Sequence, residues 1–259
     1  LGVITTGTLG PVAVVTLDRP EARNALTGSM VRSMAEAFAD CDADGSIRAV
    51  VLTGRDPAFC AGLDLNDLAR TFDELGSVSR DAPGGRPAVG FPRPAKTLIG
   101  AVNGPAVTGG LELALGCDFL VASERATFAD THARVGVMPA GGLTVRLPRL
   151  VGINRARQMS LTGDYIDAGR ALEWGLVNEV VPHQALLERA IELAAAVSEI
   201  DPAAIDELRG MYDALAFRSD DAVYADEARW SRRWMQDRFD ADALSARRAG
   251  IIERGSAQQ

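Results

Sequence analysis

Hydrophobic positions along this chain switch repeatedly between the two-residue period of a strand and the three-to-four-residue period of a helix. Val12 to Leu17 is apolar with weak alternation and runs into Asp18-Arg19-Pro20, which predicts a strand closed by a turn. After Thr27, whose hydroxyl suits a helix N-cap, Met30, Met34, Phe38 and Cys41 recur at helical spacing and predict an amphipathic helix reaching about Ala43. Val50 to Thr53 is short and continuously apolar, the pattern of a buried strand, and Leu98 to Val102 repeats it. Gly110 to Gly116 reads as a helix and Asp118 to Ala122 as a further strand. This alternation predicts a parallel sheet with right-handed crossovers.

Farther on, Thr127-Phe128-Ala129 leads into a loop, helices are expected from about Leu143 and Asn154, and Val177 to Val181 suggests a late strand. From His183 to Ile252 the chain is almost wholly helix-forming, broken at Asp201-Pro202, where the aspartate caps and the proline starts a new helix. Trp230 and Trp234 stand at i and i+4 and are expected to share a packed face. Asn66 to Pro94 loses all periodicity and collects Gly76, Gly84, Gly85 and the prolines Pro83, Pro87, Pro92 and Pro94. It reads as a loop, either a cover over a pocket or a plain surface excursion.

The 259 residues, 47% hydrophobic, suffice for one substantial core with an appendage. A formal net charge of -8 argues against a nucleic-acid surface. Any anionic ligand would have to be met locally, chiefly by arginines, since Lys96 is the only lysine; Arg93 and Lys96 are weak candidates for phosphate contacts or else plain solvated charges. Cys41, Cys60 and Cys117 are widely spaced in apolar or glycine-rich surroundings and read as reduced core thiols. No run approaches the roughly 18 apolar residues of a membrane span, and the N-terminus has no charged stretch followed by an apolar core, so a cytoplasmic protein without membrane contact is expected.

Chemistry concentrates in two glycine-bearing segments, Phe59-Cys60-Ala61-Gly62-Leu63-Asp64-Leu65 and Asn103-Gly104-Pro105-Ala106-Val107-Thr108-Gly109-Gly110-Leu111-Glu112-Leu113. Each follows a predicted buried strand, so each turn should expose backbone N–H groups beside the sheet. Two such groups converging on one oxygen form an oxyanion hole, which can contribute a few kcal/mol to a transition state. Glu112 sits one turn into a helix of otherwise apolar neighbours, where its carboxyl is either buried or faces a pocket; a solvated helix position is the plainer alternative. Cys60 lies beside this turn, but no base is near it in sequence. There is no metal cluster, G-x-G-x-x-G or Walker loop, and no cofactor is expected.

On these residues the chain resembles the crotonase superfamily, the enoyl-CoA hydratases and isomerases. The resemblance begins at Leu17-Asp18-Arg19-Pro20-Glu21-Ala22-Arg23-Asn24-Ala25-Leu26 and includes both glycine segments, Cys117-Asp118 and Phe128. It continues through Pro139-Ala140-Gly141-Gly142 to Gly175-Leu176-Val177-Asn178-Glu179-Val180-Val181. It implies an α/β fold, a crotonase-like spiral of ββα units, with residues 1–198 as the core domain and 199–259 as a C-terminal helical region that covers the active site and builds trimer contacts. The implied substrate is an acyl-CoA and the implied assembly a homotrimer or a hexamer.

Carried over residue by residue, the resemblance assigns the oxyanion-hole donors to the N–H groups of Leu63 and Gly109 and the activation of water to Glu112. It places CoA around Ala61, Gly62, Asp64 and Leu65, mostly through backbone atoms, with Arg23 and Ala25 nearby. One departure stands out. The second catalytic glutamate of the hydratases falls four residues before Gly136, where this chain has His132. An imidazole there can hold a water and exchange a proton, with Asp130 orienting it, or it can serve only a loop hydrogen bond while Asp130 and Arg134 form an ion pair. The implied reaction is hydration of 2-enoyl-CoA to 3-hydroxyacyl-CoA; double-bond isomerisation, or acyl-CoA binding without turnover, are the alternatives.

Overall fold

The apolar runs of the N-terminal half line up side by side in the computed structural model, which describes residues 3–67, 91–216 and the isolated positions 229, 232, 235, 236 and 242. Strands β1 (Ile4–Leu9), β2 (Val12–Leu17), β3 (Ala49–Gly54), β4 (Thr97–Val102), β6 (Phe119–Ser123) and β9 (Glu179–Val181) form one sheet in the order β1-β2-β3-β4-β6-β9. Every neighbouring pair is parallel except β1 with β2, and the register sets Val51 between Val14 and Ile99. All residues of β3 and β4 are buried, which is why they read as unbroken apolar runs and not as alternating ones. A second small sheet joins β5 (Ala106–Val107), β7 (Thr127–Ala129) and β8 (Ile166–Asp167).

Four strands escape the sequence reading, among them the two-residue β5 and β8, too short to carry a period of their own. The edge strand β1 is largely exposed and Thr-rich, so it lacks the hydrophobic signature of its partners. The segment 127–129, expected to lead directly into a loop, is β7, made a strand by pairing with β5 and β8.

A separate apolar cluster covers each face of the main sheet. On one side α1 (Gly28–Ala43) lays Met30, Met34, Phe38 and Cys41 against Val15, Leu17 and Leu52. Its start is capped as its sequence predicts, with the Thr27 hydroxyl accepting from the Met30 N–H at 3.2 Å. On the other side the helix Leu186–Ser198 packs Leu186, Ala190 and Ala194 against Val12, Val14, Ala49, Val51 and Ile99. Between these lie α2 (Gly109–Leu115), α3 (His132–Val135), α4 (Leu143–Val151), α5 (Ile153–Thr162) and the helix Ala168–Glu173. Pro202–Ala216 follows the Asp201-Pro202 break as a helix. Trp230, Trp234, most of the Asn66–Pro94 segment and the chain after 216 lie outside the described residues, apart from the isolated positions above.

The two weak phosphate candidates are held by structural partners instead. Lys96 Nζ donates to the carbonyls of Cys41 at 2.5 Å and Asp44 at 2.6 Å, closing the C-terminal end of α1. Arg93 donates to Asp118 at 2.8 Å.

Asn24 organises the turn between β2 and α1. It and Arg23 adopt left-handed backbone conformations with φ of 57° and 50°. The fully buried Asn24 side chain accepts from the Arg19 N–H at 2.9 Å and donates to the carbonyls of Arg55 at 2.8 Å and Ala58 at 2.7 Å. Asn24→Ala strands these buried groups, and we expect it to cost about 2–3 kcal/mol, read as a lower urea midpoint with an unchanged slope.

Candidate active site

The chain leaving β3 and the chain leaving β4 meet backbone to backbone. Cys60 N–H donates to the Pro105 carbonyl at 3.0 Å, and the Val107 N–H donates to the Cys60 carbonyl at 3.0 Å. No side chain fits in the contact. A Cβ on Gly110 would lie 2.0 Å from the Cys60 oxygen, and one on Gly62, whose φ is 97°, would lie 2.9 Å from the Val107 oxygen.

This approach brings the Leu63 and Gly109 amides together, since a methyl group on Gly109 would sit 3.4 Å from the Leu63 nitrogen. Among the described residues neither N–H has an acceptor, so both are free to converge on one ligand oxygen. Thr108, just before Gly109, takes a strained conformation with φ 56° and ψ -113°. Its N–H donates to the Ala129 carbonyl at 2.8 Å, and its hydroxyl lies 2.5 Å from the Thr131 hydroxyl while accepting from the Thr131 N–H at 3.3 Å.

One turn along α2 the Glu112 carboxyl is buried, at 5% exposure. Its Oε1 accepts from the Gly141 N–H at 2.7 Å and the Leu143 N–H at 3.4 Å, while Oε2 lies 3.6 Å from His132 Nε2. The other imidazole nitrogen, Nδ1, is 2.6 Å from Asp130 Oδ1, which also accepts the His132 backbone N–H at 3.1 Å. Burial pulls the His132 pKa down, but the Glu112 charge and the Asp130 hydrogen bond outweigh it and lift the value to about 10. Burial likewise works against the Asp130 carboxylate, yet hydrogen bonds from His132 and from the Ser160 hydroxyl hold its pKa below the usual range. The raised His132 pKa favours an imidazolium lying between the Asp130 and Glu112 carboxyl groups.

Residues 8–238 match the family model described as enoyl-CoA hydratase/isomerase. The chain belongs to the enoyl-CoA hydratase/isomerase family. It is 36% identical over 252 residues to a probable enoyl-CoA hydratase of Rhizobium meliloti, covering 97% of this chain and 95% of that protein. It is 44% identical over 188 residues to the Arabidopsis thaliana protein named probable enoyl-CoA hydratase 1, peroxisomal, covering 73% of this chain and 69% of that one. Its structure matches the crystal structure of enoyl-CoA hydratase from Mycobacterium tuberculosis H37Rv with a TM-score of 0.80 at 44% identity, over 91% of this chain and 100% of that one.

The residues that the crotonase resemblance assigns to CoA lie on one ribbon beside the two amides. Ala61 N–H donates to the Arg23 carbonyl at 3.0 Å, Leu26 N–H to the Gly62 carbonyl at 2.7 Å and Asp64 N–H to the Leu26 carbonyl at 2.8 Å, which pairs Leu26 with Leu63 and sets Ala25 just before that bridge. Leu65 follows directly, partly buried. The Asp64 side chain has structural work: it takes the Arg19 guanidinium at 2.7 Å and the Asn66 N–H at 2.9 Å. Arg19, which also donates to the Ala25 carbonyl at 3.0 Å, thus fastens the ribbon, a role its place in the motif did not reveal.

Two alternatives of the sequence reading now resolve, and His132 gains a further partner. Cys60 is a core thiol with its pKa pushed up to about 12 by burial, so no thiolate nucleophile forms near neutrality. Arg134 gives its guanidinium to the Thr162 carbonyl, not to Asp130. His132 is engaged by Glu112 as well as by its own loop. Phe91, at the described end of the aperiodic segment, reaches Gly109: a Cβ there would lie 3.4 Å from its ring. Sequence reasoning missed Phe91, Thr108, Thr131 and Ser160, because nothing in residue type or spacing marks a partner that distant chain segments bring. Among the described residues no group of three His, Cys, Asp or Glu side chains is placed to hold a metal ion, and no helix is long and apolar enough to cross a membrane.

Gly141 must lack a side chain for Glu112 to be fastened, since a Cβ there would lie 2.7 Å from Glu112 Cδ. Gly141→Ala should keep the fold by circular dichroism while turnover of the enzyme's acyl-CoA substrate drops by about 100-fold through displacement of the carboxyl.

Proposed function

We propose that this protein is an enoyl-CoA hydratase that adds water to a 2-enoyl-CoA to give the 3-hydroxyacyl-CoA, with Glu112 as the base and His132 in the place of the second catalytic glutamate. The observation that carries this reading is the 3.6 Å approach of Glu112 Oε2 to His132 Nε2, in a buried site one helical turn from the unsatisfied Gly109 N–H. The thioester oxygen accepts hydrogen bonds from Leu63 and Gly109, where negative charge builds up as the enolate forms. Glu112 holds and deprotonates the water that attacks the β-carbon, and His132 stands across from it as the second proton-exchanging group.

CoA lies along Arg23, Ala25, Ala61, Gly62, Asp64 and Leu65 in this reading, met largely by backbone atoms, with no cofactor required. Residues 1–198 make the catalytic core, and residues 199–259 cover the site and form a homotrimer or a dimer of trimers.

Loss of the conjugated-enoyl absorbance of crotonyl-CoA and of a longer 2-enoyl-CoA tests the reaction directly. Wild type should turn over, and Glu112→Gln and His132→Ala should each fall by about 100- to 10,000-fold while still binding acyl-CoA. Wild-type protein that leaves 2-enoyl-CoA untouched but shifts the double bond of a 3-enoyl-CoA is an isomerase. Tight binding with no turnover of either, unchanged in Glu112→Gln, would make it a binding protein.

A further inference from the structure

Asp130 is a buried carboxylate with no place in the reaction so far, yet it lies in direct contact with the His132 ring. Its Oδ1 lies 2.6 Å from His132 Nδ1 and also takes the His132 backbone N–H at 3.1 Å, so the aspartate fixes both the position of the residue and the plane of the ring. With Nδ1 committed as a donor, only Nε2 faces Glu112. The imidazole is therefore gripped at both ends by carboxyl groups in a buried site, with His132 and Asp130 at 5% and 2% exposure. In such a site the cation is the favoured form.

The charged groups acting on the ring are Glu112 from α2 and Asp130 from its own loop. From α5 the Ser160 hydroxyl reaches Asp130, and Arg134, on the same short helix as His132, is turned away to the Thr162 carbonyl. No cation faces His132 among the groups that shift it.

We propose that Asp130 is a positioning residue that holds His132 as an imidazolium with Nε2–H aimed at the reacting centre, making His132 the acid of the hydration and Glu112 its base. This rests on the hydratase reading above. The step balances without an outside proton. Water oxygen bonds to the β-carbon while Glu112 takes one water proton, and the alkene electron pair moves into the enolate held by the Leu63 and Gly109 amides. The enolate carbon then takes the proton from His132 Nε2, leaving neutral imidazole beside a protonated Glu112. Transfer from Glu112 Oε2 to Nε2, 3.6 Å away, restores both groups for the next turnover. A two-glutamate site has to keep one of two like groups protonated; here the division of labour is built into the residue types and enforced by Asp130.

Two measurements test this. In wild-type protein labelled with ¹⁵N-histidine, one of the two imidazoles should carry protons on both nitrogens up to about pH 10, and that signal should vanish in His132→Gln while the His183 signal remains. A single neutral tautomer for His132 at pH 8 would overturn the proposal, and this readout requires neither turnover nor the Asp130 variant. In kinetics, Asp130→Asn keeps the hydrogen-bond shape and removes the charge. It should leave acyl-CoA affinity in place and move the alkaline limb of kcat down by about 1–3 pH units. An alkaline limb unmoved in a folded Asp130→Asn enzyme would reduce Asp130 to a structural role. If wild type hydrates nothing while His132 is still doubly protonated at pH 8, the hydratase reading fails and the assignment of the cation stands.

Discussion

Two backbone segments pass so close to one another that Gly62, Gly104 and Gly110 have no room for a side chain at the crossing, and the site is a consequence of that contact. Gly110 touches the Cys60 carbonyl, Gly104 the Pro57 carbonyl and Gly62 the Val107 carbonyl, each so closely that an added Cβ would sit within 3.0 Å of the neighbouring oxygen. Because the crossing is backbone on backbone, the polar groups it buries have to be satisfied within it. Much of that work falls to two asparagines. Asn24 ties the turn after β2 to the Arg55 and Ala58 carbonyls, and Asn103 accepts from the Gly54 N–H at 3.2 Å while donating to Asp56 at 2.9 Å. With the crossing secured, the Leu63 and Gly109 amides have no acceptor among the described residues, and α2 starts where its first turn carries Glu112 into the interior.

The second constraint is charge. Each ion brought out of water costs several kcal/mol, recovered only when close, well-formed hydrogen bonds replace the lost solvent. Glu112 has two backbone N–H donors on one oxygen, Asp130 is bonded to the His132 ring, the His132 N–H and Ser160, and His132 stands between the two carboxyls. These partners come from α2, the loop before α3, the turn before α4, and α5, so the pocket exists only when four parts of the chain are in register. The same arrangement separates tasks on one carboxyl group. Oε1 is fastened to the backbone, whereas Oε2 is left facing the imidazole.

The chain's other histidine shows how little residue type says by itself. His183 lies 2.9 Å from Asp56 through Nε2 and 3.0 Å from the Ser123 hydroxyl through Nδ1, a serine, histidine and aspartate in hydrogen-bonded sequence. Ser123 is wholly buried at the end of β6, and its oxygen already accepts the Arg125 N–H at 3.0 Å. This set ties together the chain ends that leave β3, β6 and β9 and offers no open nucleophile, while His132, with a similar number of partners, lies against Glu112, one helical turn from the Gly109 amide. Placement relative to the glycine crossing separates the two.

What could be read in the sequence was whatever depends on near neighbours or on the backbone alone. The buried strands at Val50 and Leu98, the capped helix after Thr27 and the break at Asp201-Pro202 are local patterns of burial and hydrogen bonding, and the structure has them where the pattern lies. The glycine turns were legible for a related reason: a contact that excludes Cβ leaves its mark directly in residue type. The exposed strand β1 and the three-residue β7 were not legible, because each is made a strand by the neighbour it pairs with and not by its own periodicity. The pairing of Thr108 with Thr131, the seat of Glu112 on the Gly141 amide and the choice of His132 over Arg134 as the Asp130 partner were likewise invisible. Those contacts join residues 23 and 29 positions apart or select between two neighbours two and four positions away, and only the packed tertiary structure brings one set of atoms within hydrogen-bonding distance and turns the others aside.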